Sequence, residues 1–270
     1  MLKGYTTPLT PRGQANVVSA PPWHYSGDII AIEFWADPEV AAASLPPRLM
    51  PDEPGNGHAL ALFADWQFTA QNNEYLDPAR YQYREFCLLV DARYQGEPVS
   101  WCPFIFVDND AAMVRGATQG YPKKLGSIFQ TRTFAAPSPA AAPMVSGTKF
   151  GASLSAHGQR LAEGRITLHQ SMGRPPAILT RPTVSRRYFP RLTAGFHDKP
   201  AVDELTMGMA HKVALIDIWT GSAELMFPEA YGEELHAFEP ARVGNGYRFS
   251  MSCSINDLKV LEDFTAARTA

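Results

Sequence analysis

Apolar residues gather along the chain in short β-branched and aromatic runs, and Gly, Pro, Asn and Asp fall between those runs rather than inside them. That punctuation predicts many strands joined by shaped loops. Ile29–Trp35 reads as the first strand. Asp37, Pro38 and Glu39 then supply an N-cap, a first-turn proline and a first-turn acid for a short helix running through Leu45. Pro46 and Pro47 end it, because a residue before proline is pushed out of helical geometry. Further strands are predicted at Ala59–Phe68, Glu85–Tyr94, Val99–Val107, Thr148–Leu154, Arg165–Gln170, Val213–Thr220, Ala223–Phe227 and Tyr247–Ser254. Asp108, Asn109 and Asp110 can cap a second helix over Ala111–Thr118, which Gly120 and Pro122 close. Gly55-Asn56-Gly57 and Gly244-Asn245-Gly246 read as hairpin turns, and the Ala/Pro-rich stretch Ala135–Pro143 as an ordered loop or hairpin end. The first 25 or so residues, with Pro8, Pro11, Pro21 and Pro22, read as an extended arm laid over the rest. Strands follow strands without helices alternating between them. The expected fold is therefore α+β, a mostly antiparallel sheet with a few short helices, forming one domain over residues 1–270.

Composition supports a self-sufficient core. A chain of 270 residues with 45% hydrophobic and 19% charged side chains can bury about three-quarters of its unfolded surface without staples. Its 24 basic and 27 acidic residues give a net charge of −3, and the charges are scattered. No basic face exists to hold phosphates, so a nucleic-acid partner is not expected. Cys87, Cys102 and Cys253 are odd in number and outside any C-x-x-C spacing, which suits small apolar residues in a reducing compartment better than disulfides or zinc. The N-terminus lacks a basic-then-apolar leader pattern and no apolar run reaches 18 residues, so no membrane partner and a cytoplasmic location are expected.

Familiar catalytic signatures are missing. The glycine pairs at 55–57 and 244–246 lack a third glycine and a following helix, and so do not form a dinucleotide fingerprint. The seven histidines include no H-E-x-x-H, leaving no metal signal, and no G-x-S-x-G elbow occurs. What remains is Gly120-Tyr121-Pro122-Lys123-Lys124-Leu125-Gly126, a lysine pair on a stiff stretch between residues expected to be buried, Tyr121 and Leu125. A lysine is nucleophilic only as the free amine, and its ordinary pKa of about 10.4 keeps it protonated at neutral pH. An apolar wall or a second ammonium penalises the charged form. Neighbours in sequence diverge, however, by about 100° on a helix and to opposite faces on a strand, so adjacency alone does not bring two ammonium groups together.

At this motif the chain resembles the acetoacetate decarboxylase superfamily. The resemblance extends to Tyr5-Thr6-Thr7-Pro8-Leu9-Thr10, the helix ending Leu45-Pro46-Pro47, Val107-Asp108-Asn109-Asp110, Gly116 and Trp219-Thr220-Gly221. It implies a cone-like, barrel-related antiparallel sheet, no cofactor, and Lys123 as a Schiff-base lysine with Lys124 its neighbour, since an activated lysine of this kind characterises the enzyme that gives the family its name. Departures matter for the reaction. Decarboxylases of the family carry an arginine near the position of Gly27, Gly-Arg-Glu where this chain has Gly116-Ala117-Thr118, and an acid where it has the apolar run Leu60–Phe63. Glu85 is the active-site carboxylate that survives.

Tyr83-Arg84-Glu85 and Gln119, four residues before Lys123, instead resemble the pyruvate aldolase-dehydratase and hydratase branches. A protonated imine is an electron sink, so the enamine can arise by loss of CO₂ or of an α-proton. In the expected scheme Glu85 shuttles protons, Tyr83 donates to the leaving or entering hydroxyl, and Gln119 holds the substrate carboxylate or carbonyl. On a strand Tyr83 and Glu85 share one face while Arg84 points away. The leading expectation is a Schiff-base lyase taking a small keto acid and an aldehyde. Acetoacetate decarboxylation is the alternative reaction, and a non-catalytic binder of small carboxylates or apolar ligands the alternative class. An open-ended sheet and an arm suggest a homo-oligomer.

Overall fold

The computed structural model describes residues 1–53 and 56–265. Its strands are β1 (Trp23–Trp35), β2 (Leu49–Pro51), β3 (His58–Thr69), β4 (Gln82–Tyr94), β5 (Glu97–Val107), β6 (Lys123–Leu125), β7 (Ser127–Gln130), β8 (Lys149–Ala156), β9 (Gln159–Ser171), β10 (Thr183–Phe189), β11 (Val202–Met226) and β12 (Arg242–Asp263). The helices are α1 (Pro38–Ala43), α2 (Pro78–Tyr81) and α3 (Asp110–Gln119), with three short 3₁₀ turns. This is the expected α+β class. Pairing runs β10-β5-β4-β3-β1-β12-β11, and β11 pairs with β10 again, so the sheet closes as a ring. From β11 it continues sideways through β9, β8 and β7. All pairings are antiparallel except β5 with β10 and with β6.

The ring has two buried faces, which explains why its strands read as nearly continuous apolar runs. Ile30, Ile32 and Phe34 of β1, Ala59, Ala61 and Phe63 of β3, and Phe86, Leu88 and Val90 of β4 point to one face. They pack with Phe150 and Leu154 of β8 and Leu161 and Ile166 of β9. Gly164 of β9 permits that approach, since a Cβ there would sit 2.7 Å from Ile32 Cδ1. The alternate residues Ile29, Ala31, Leu60, Ala64, Tyr247 and Phe249 form a second cluster on the inner face. A third, with Phe68, Tyr83, Ala111 and Ala112, seats α3 and the arm residue Val18.

Several elements differ from the sequence expectation. The arm is shorter, because β1 already begins at Trp23, and it doubles back on itself through a bridge between Lys3 and Thr10. Gly244, Asn245 and Gly246 lie within β12, not in a hairpin turn; a Cβ on Gly246 would meet Ile166 Cγ2 at 2.3 Å. At the other glycine pair, Asn56 and Gly57 have φ of 45° and 85°, but the strands they separate, β2 and β3, pair with β4 rather than each other, so no hairpin forms there; Gly55 lies outside the described residues. The two strands expected over 213–227 are one, the 25-residue β11. At about 3.3 Å per residue it would span ~80 Å if straight. Register breaks against β12, between Gly208 and Ala210, His211 and Ala214, and Ile216 and Trp219, bend it around the ring. The Ala/Pro stretch is the ordered end of the β7–β8 hairpin, held by Phe134 N–H donating to Ala141 O at 3.0 Å. Among the described residues no helix is long and apolar enough to cross a membrane.

Candidate active site

The antiparallel pairing of β3, β4 and β5 sets the floor of an inner-face cavity of about 220 Å³. Period-two alternation on β4 turns Tyr83, Glu85, Cys87 and Leu89 into it. Arg84, as expected, points elsewhere: its guanidinium stacks 4.8 Å from the Phe129 ring and its backbone N–H donates to Asp108 at 2.7 Å. The short strand β6 pairs parallel to β5, with Lys123 opposite Ile105 and Lys124 opposite Phe106. Ile105 and Lys123 line the cavity, whereas Lys124 sits over the Phe106 ring on the far side.

This separates the two lysines. The Lys123 side chain is 6% exposed, and its Nζ donates to Glu85 Oε2 at 2.6 Å, 5.4 Å from the centre of the Tyr83 ring. Lys124 is 44% exposed and its Nζ pairs with Glu233 at 2.5 Å. Lys124 is thus not part of the cavity, and strand alternation is the reason; the neighbour that faces Lys123 is a carboxylate. Leu125, expected to be buried, is 53% exposed, since β6 has β5 as its one strand neighbour among the described residues.

Helix α3 closes one side. Asn109 caps it by accepting from Ala112 N–H at 2.9 Å, and Gly120, at φ 94°, ends it while Tyr121 N–H returns to Gly116 O at 2.9 Å. That left-handed turn aims the following residues back along β5. Gly116 is a contact surface: a Cβ there would fall 2.3–2.7 Å from Lys123 Cγ, Cδ and Cε, so the lysine stem lies flat on the helix backbone. Gln119 is buried in the wall; its Nε2 donates to Arg115 O at 3.2 Å, and its Oε1 finds no partner among the described residues. A buried amide oxygen left unpaired costs about 1–3 kcal/mol, which a bound molecule could recover.

Local contacts bias the proton positions. Trp66 Nε1 donates to Glu85 Oε1 at 3.2 Å, which leaves Oε2 for Lys123. Burial, reinforced by the charge of Glu85, pushes the Tyr83 phenol well above its ordinary range, and burial does the same to Tyr121. Tyr25 rises to about 12 for the same reason. These phenols therefore hold their protons and can serve as donors. The Cys87 thiol, 3.4 Å from Cys102 Sγ, is also held well up by that hydrogen bond and by burial. It is a poor nucleophile in this setting.

Four of the residues singled out from sequence, Lys123, Glu85, Tyr83 and Gln119, thus line one cavity. Sequence reasoning missed Tyr25, Trp66 and Arg115. Arg115 is 2% exposed, and its guanidinium carbon lies 3.7 Å from the Phe68 ring centre and 5.2 Å from that of Tyr83. It stands four residues before Gln119, so helical spacing placed it on the same buried face. At Gly27, near the position where decarboxylases are expected to carry a cation, a Cβ would sit 2.4 Å from Asp65 O and 2.6 Å from the Trp66 ring. No side chain fits there.

Similarity to known proteins follows the same outline. In solved structures the chain resembles the enduracididine biosynthesis enzyme MppR complexed with the condensation product of pyruvate and imidazole 4-carboxaldehyde, at 34% identity and TM-score 0.91, covering 98% of both chains. The same enzyme complexed with pyruvate matches at 33% and 0.90, over 98% of this chain and 99% of that one. An acetoacetate decarboxylase-like enzyme from Sphingomonas wittichii is 26% identical with TM-score 0.88, over 97% of this chain and 100% of the other. Comparison with curated protein sequences gives no match. Residues 6–264 match the family described as acetoacetate decarboxylase, a span that includes the ring, α3 and every cavity residue discussed above, and the chain belongs to that family.

Proposed function

We propose that this protein is a Schiff-base-forming lyase that condenses pyruvate, or a keto acid of similar size, with an aldehyde and then expels water. The observation that carries the reading is the Lys123–Glu85 contact of 2.6 Å on the wall of a small, largely apolar cavity. Glu85 is placed to take the ammonium proton, and the free amine then adds to the keto carbon. Glu85 returns that proton to the carbinolamine hydroxyl, which departs as water and leaves a protonated imine. Glu85 removes an α-proton, giving the enamine, whose carbon attacks the aldehyde while Tyr83 protonates the nascent alkoxide. The Tyr83 phenolate takes the second α-proton while Glu85 protonates the departing hydroxyl, so water leaves with both groups reset, and hydrolysis of the imine releases an unsaturated keto acid and restores Lys123. Gln119 Oε1 supplies an acceptor for the carbinolamine hydroxyl or the iminium N–H.

Similarity to an enzyme whose structures hold pyruvate and its condensation product supports this choice. Acetoacetate decarboxylation is the weaker reading, because position 27 excludes a side chain and the Leu62 side of the cavity is apolar. Borohydride added with pyruvate should leave a reduced adduct on Lys123, located by peptide mass mapping, and Lys123→Ala should abolish both adduct and turnover. Full turnover by Lys123→Ala would refute the imine route. Release of CO₂ from acetoacetate without an aldehyde would favour the decarboxylase instead.

A further inference from the structure

The cavity at Lys123 is not a closed end. Leu62, Leu89, Tyr121, Met251 and Ile255 line it and also line a second space of about 830 Å³, so the two adjoin. The inner space is below the ~300–1,000 Å³ typical of small-molecule pockets and the outer one within it. The outer walls are Ile178, Leu179, Met207, Val213, Leu215 and Phe249 among others. Among the described residues that line it, Arg181 carries the one charge, and its Nη1 is already committed to Asp91 at 2.8 Å and Asp52 at 3.1 Å.

Resting on the imine reading of Lys123, we propose that the aldehyde substrate bears an extended apolar tail, alkyl or aryl, which occupies this outer chamber. The reacting carbonyl must meet the enamine in the inner space, so its substituent extends past the residues that line both spaces. A charged or hydroxylated tail would meet mostly aliphatic walls there, with the hydroxyls of Tyr121, Thr180 and Thr183 the polar side chains beside Arg181, and would recover little of its lost hydration. An apolar tail gains with every methylene removed from water. The products are the tail-bearing unsaturated keto acid and water.

The test has two arms. Straight-chain alkanols, ethanol to hexanol, are titrated calorimetrically as unreactive stand-ins into the wild-type protein and Lys123→Ala; affinity should rise by up to about fourfold per methylene in both. With pyruvate present, kcat/KM should climb similarly from propanal to octanal and exceed that for glyceraldehyde. Met209→Lys and Val213→Asp, at outer-chamber positions each 47% exposed, should flatten both series while pyruvate trapping on Lys123 stays at the wild-type level. A flat alkanol series, a preference for glyceraldehyde, or self-association that Met209→Lys abolishes without altering alkanol affinity would overturn the proposal. If alkanol affinity climbs but borohydride traps nothing, the chamber's apolar preference holds and the imine reading falls.

Discussion

Two clusters of buried charge invite comparison. On the inner face, Lys123 and Glu85 form one pair beside a cavity, with the Gln119 amide oxygen unpaired nearby. Outside the inner cavity, with Arg181 on the wall of the outer chamber, His58 bridges Asp91 at 2.8 Å and Glu33 at 3.0 Å, Arg181 joins Asp91 to Asp52, and Arg93 closes on Asp52 at 2.8 Å. There every charge has an opposite neighbour, and the cluster ties β1, β3 and β4 to the β2 loop and to the segment before β10. Similar chemistry thus serves two ends: spare hydrogen-bonding capacity beside empty space suits turnover, and saturation suits holding strands in register.

Substitutions should separate the two. Glu85→Gln keeps the shape but removes the base, and should lower turnover about 10²–10⁴-fold in a steady-state assay with pyruvate and an aldehyde, leaving the melting temperature close to wild type. Asp91→Ala should do the reverse. It takes one of two carboxylate partners from His58 and from Arg181, which keep Glu33 and Asp52, and should cost about 1–3 kcal/mol in urea unfolding, with pyruvate trapping intact in the folded fraction. Gly116→Ala would press on the Lys123 stem, which can swing aside, so activity rather than folding should suffer, by about 10²-fold.

A pH series gives a smaller and purely structural signal. Burial alone would depress the His58 imidazole, but its hydrogen bonds to Asp91 and Glu33 outweigh burial and raise the pKa from 6.5 to about 9. A raised folded-state value means that the stabilisation is complete below pH 6.5 and is lost as pH climbs through about 9. Thermal melts from pH 6 to 9.5 should show that decline, and His58→Gln should lack it. The smallest effect is expected at the other lysine: Lys124→Ala should leave turnover at the wild-type level, and a large loss there would mean that the separation of the two ammonium groups is wrong.

How much of this could be read from the chain depended on burial pattern. The strands of the ring with two apolar faces were legible as runs, and α3 was legible from its cap and its terminating glycine. β10 was missed because Thr183–Phe189 is polar and basic; Arg186 and Arg187 are matched across the pairing by Asp203 and Glu204 on β11. Glycines misled in a consistent way. Gly221 and Gly246 read as breaks, yet each sits inside a strand where another chain segment passes close; a Cβ at 221 would lie 1.8 Å from Thr167 O. At the site, the residue types and the β4 alternation could be read directly. Arg115 could have been found by extending helical spacing back from Gln119. That Lys123 and Lys124 diverge followed from backbone geometry, but which of them faces the cavity could not be read from spacing, because nothing in the segment reveals that β6 is a strand beside β5.

The longest strand also governs how the protein comes apart. β11 hydrogen-bonds in turn to β10, β12 and β9, so the ring and the β7–β9 extension share one continuous spine. Neither half can melt and leave the other with a finished edge. Loss of order should therefore travel through the whole molecule as one event, and the amide protons of β11 that should be among the last to exchange with deuterated solvent are those of the two stretches paired on both sides, 204–207 between β10 and β12 and 219–222 between β12 and β9.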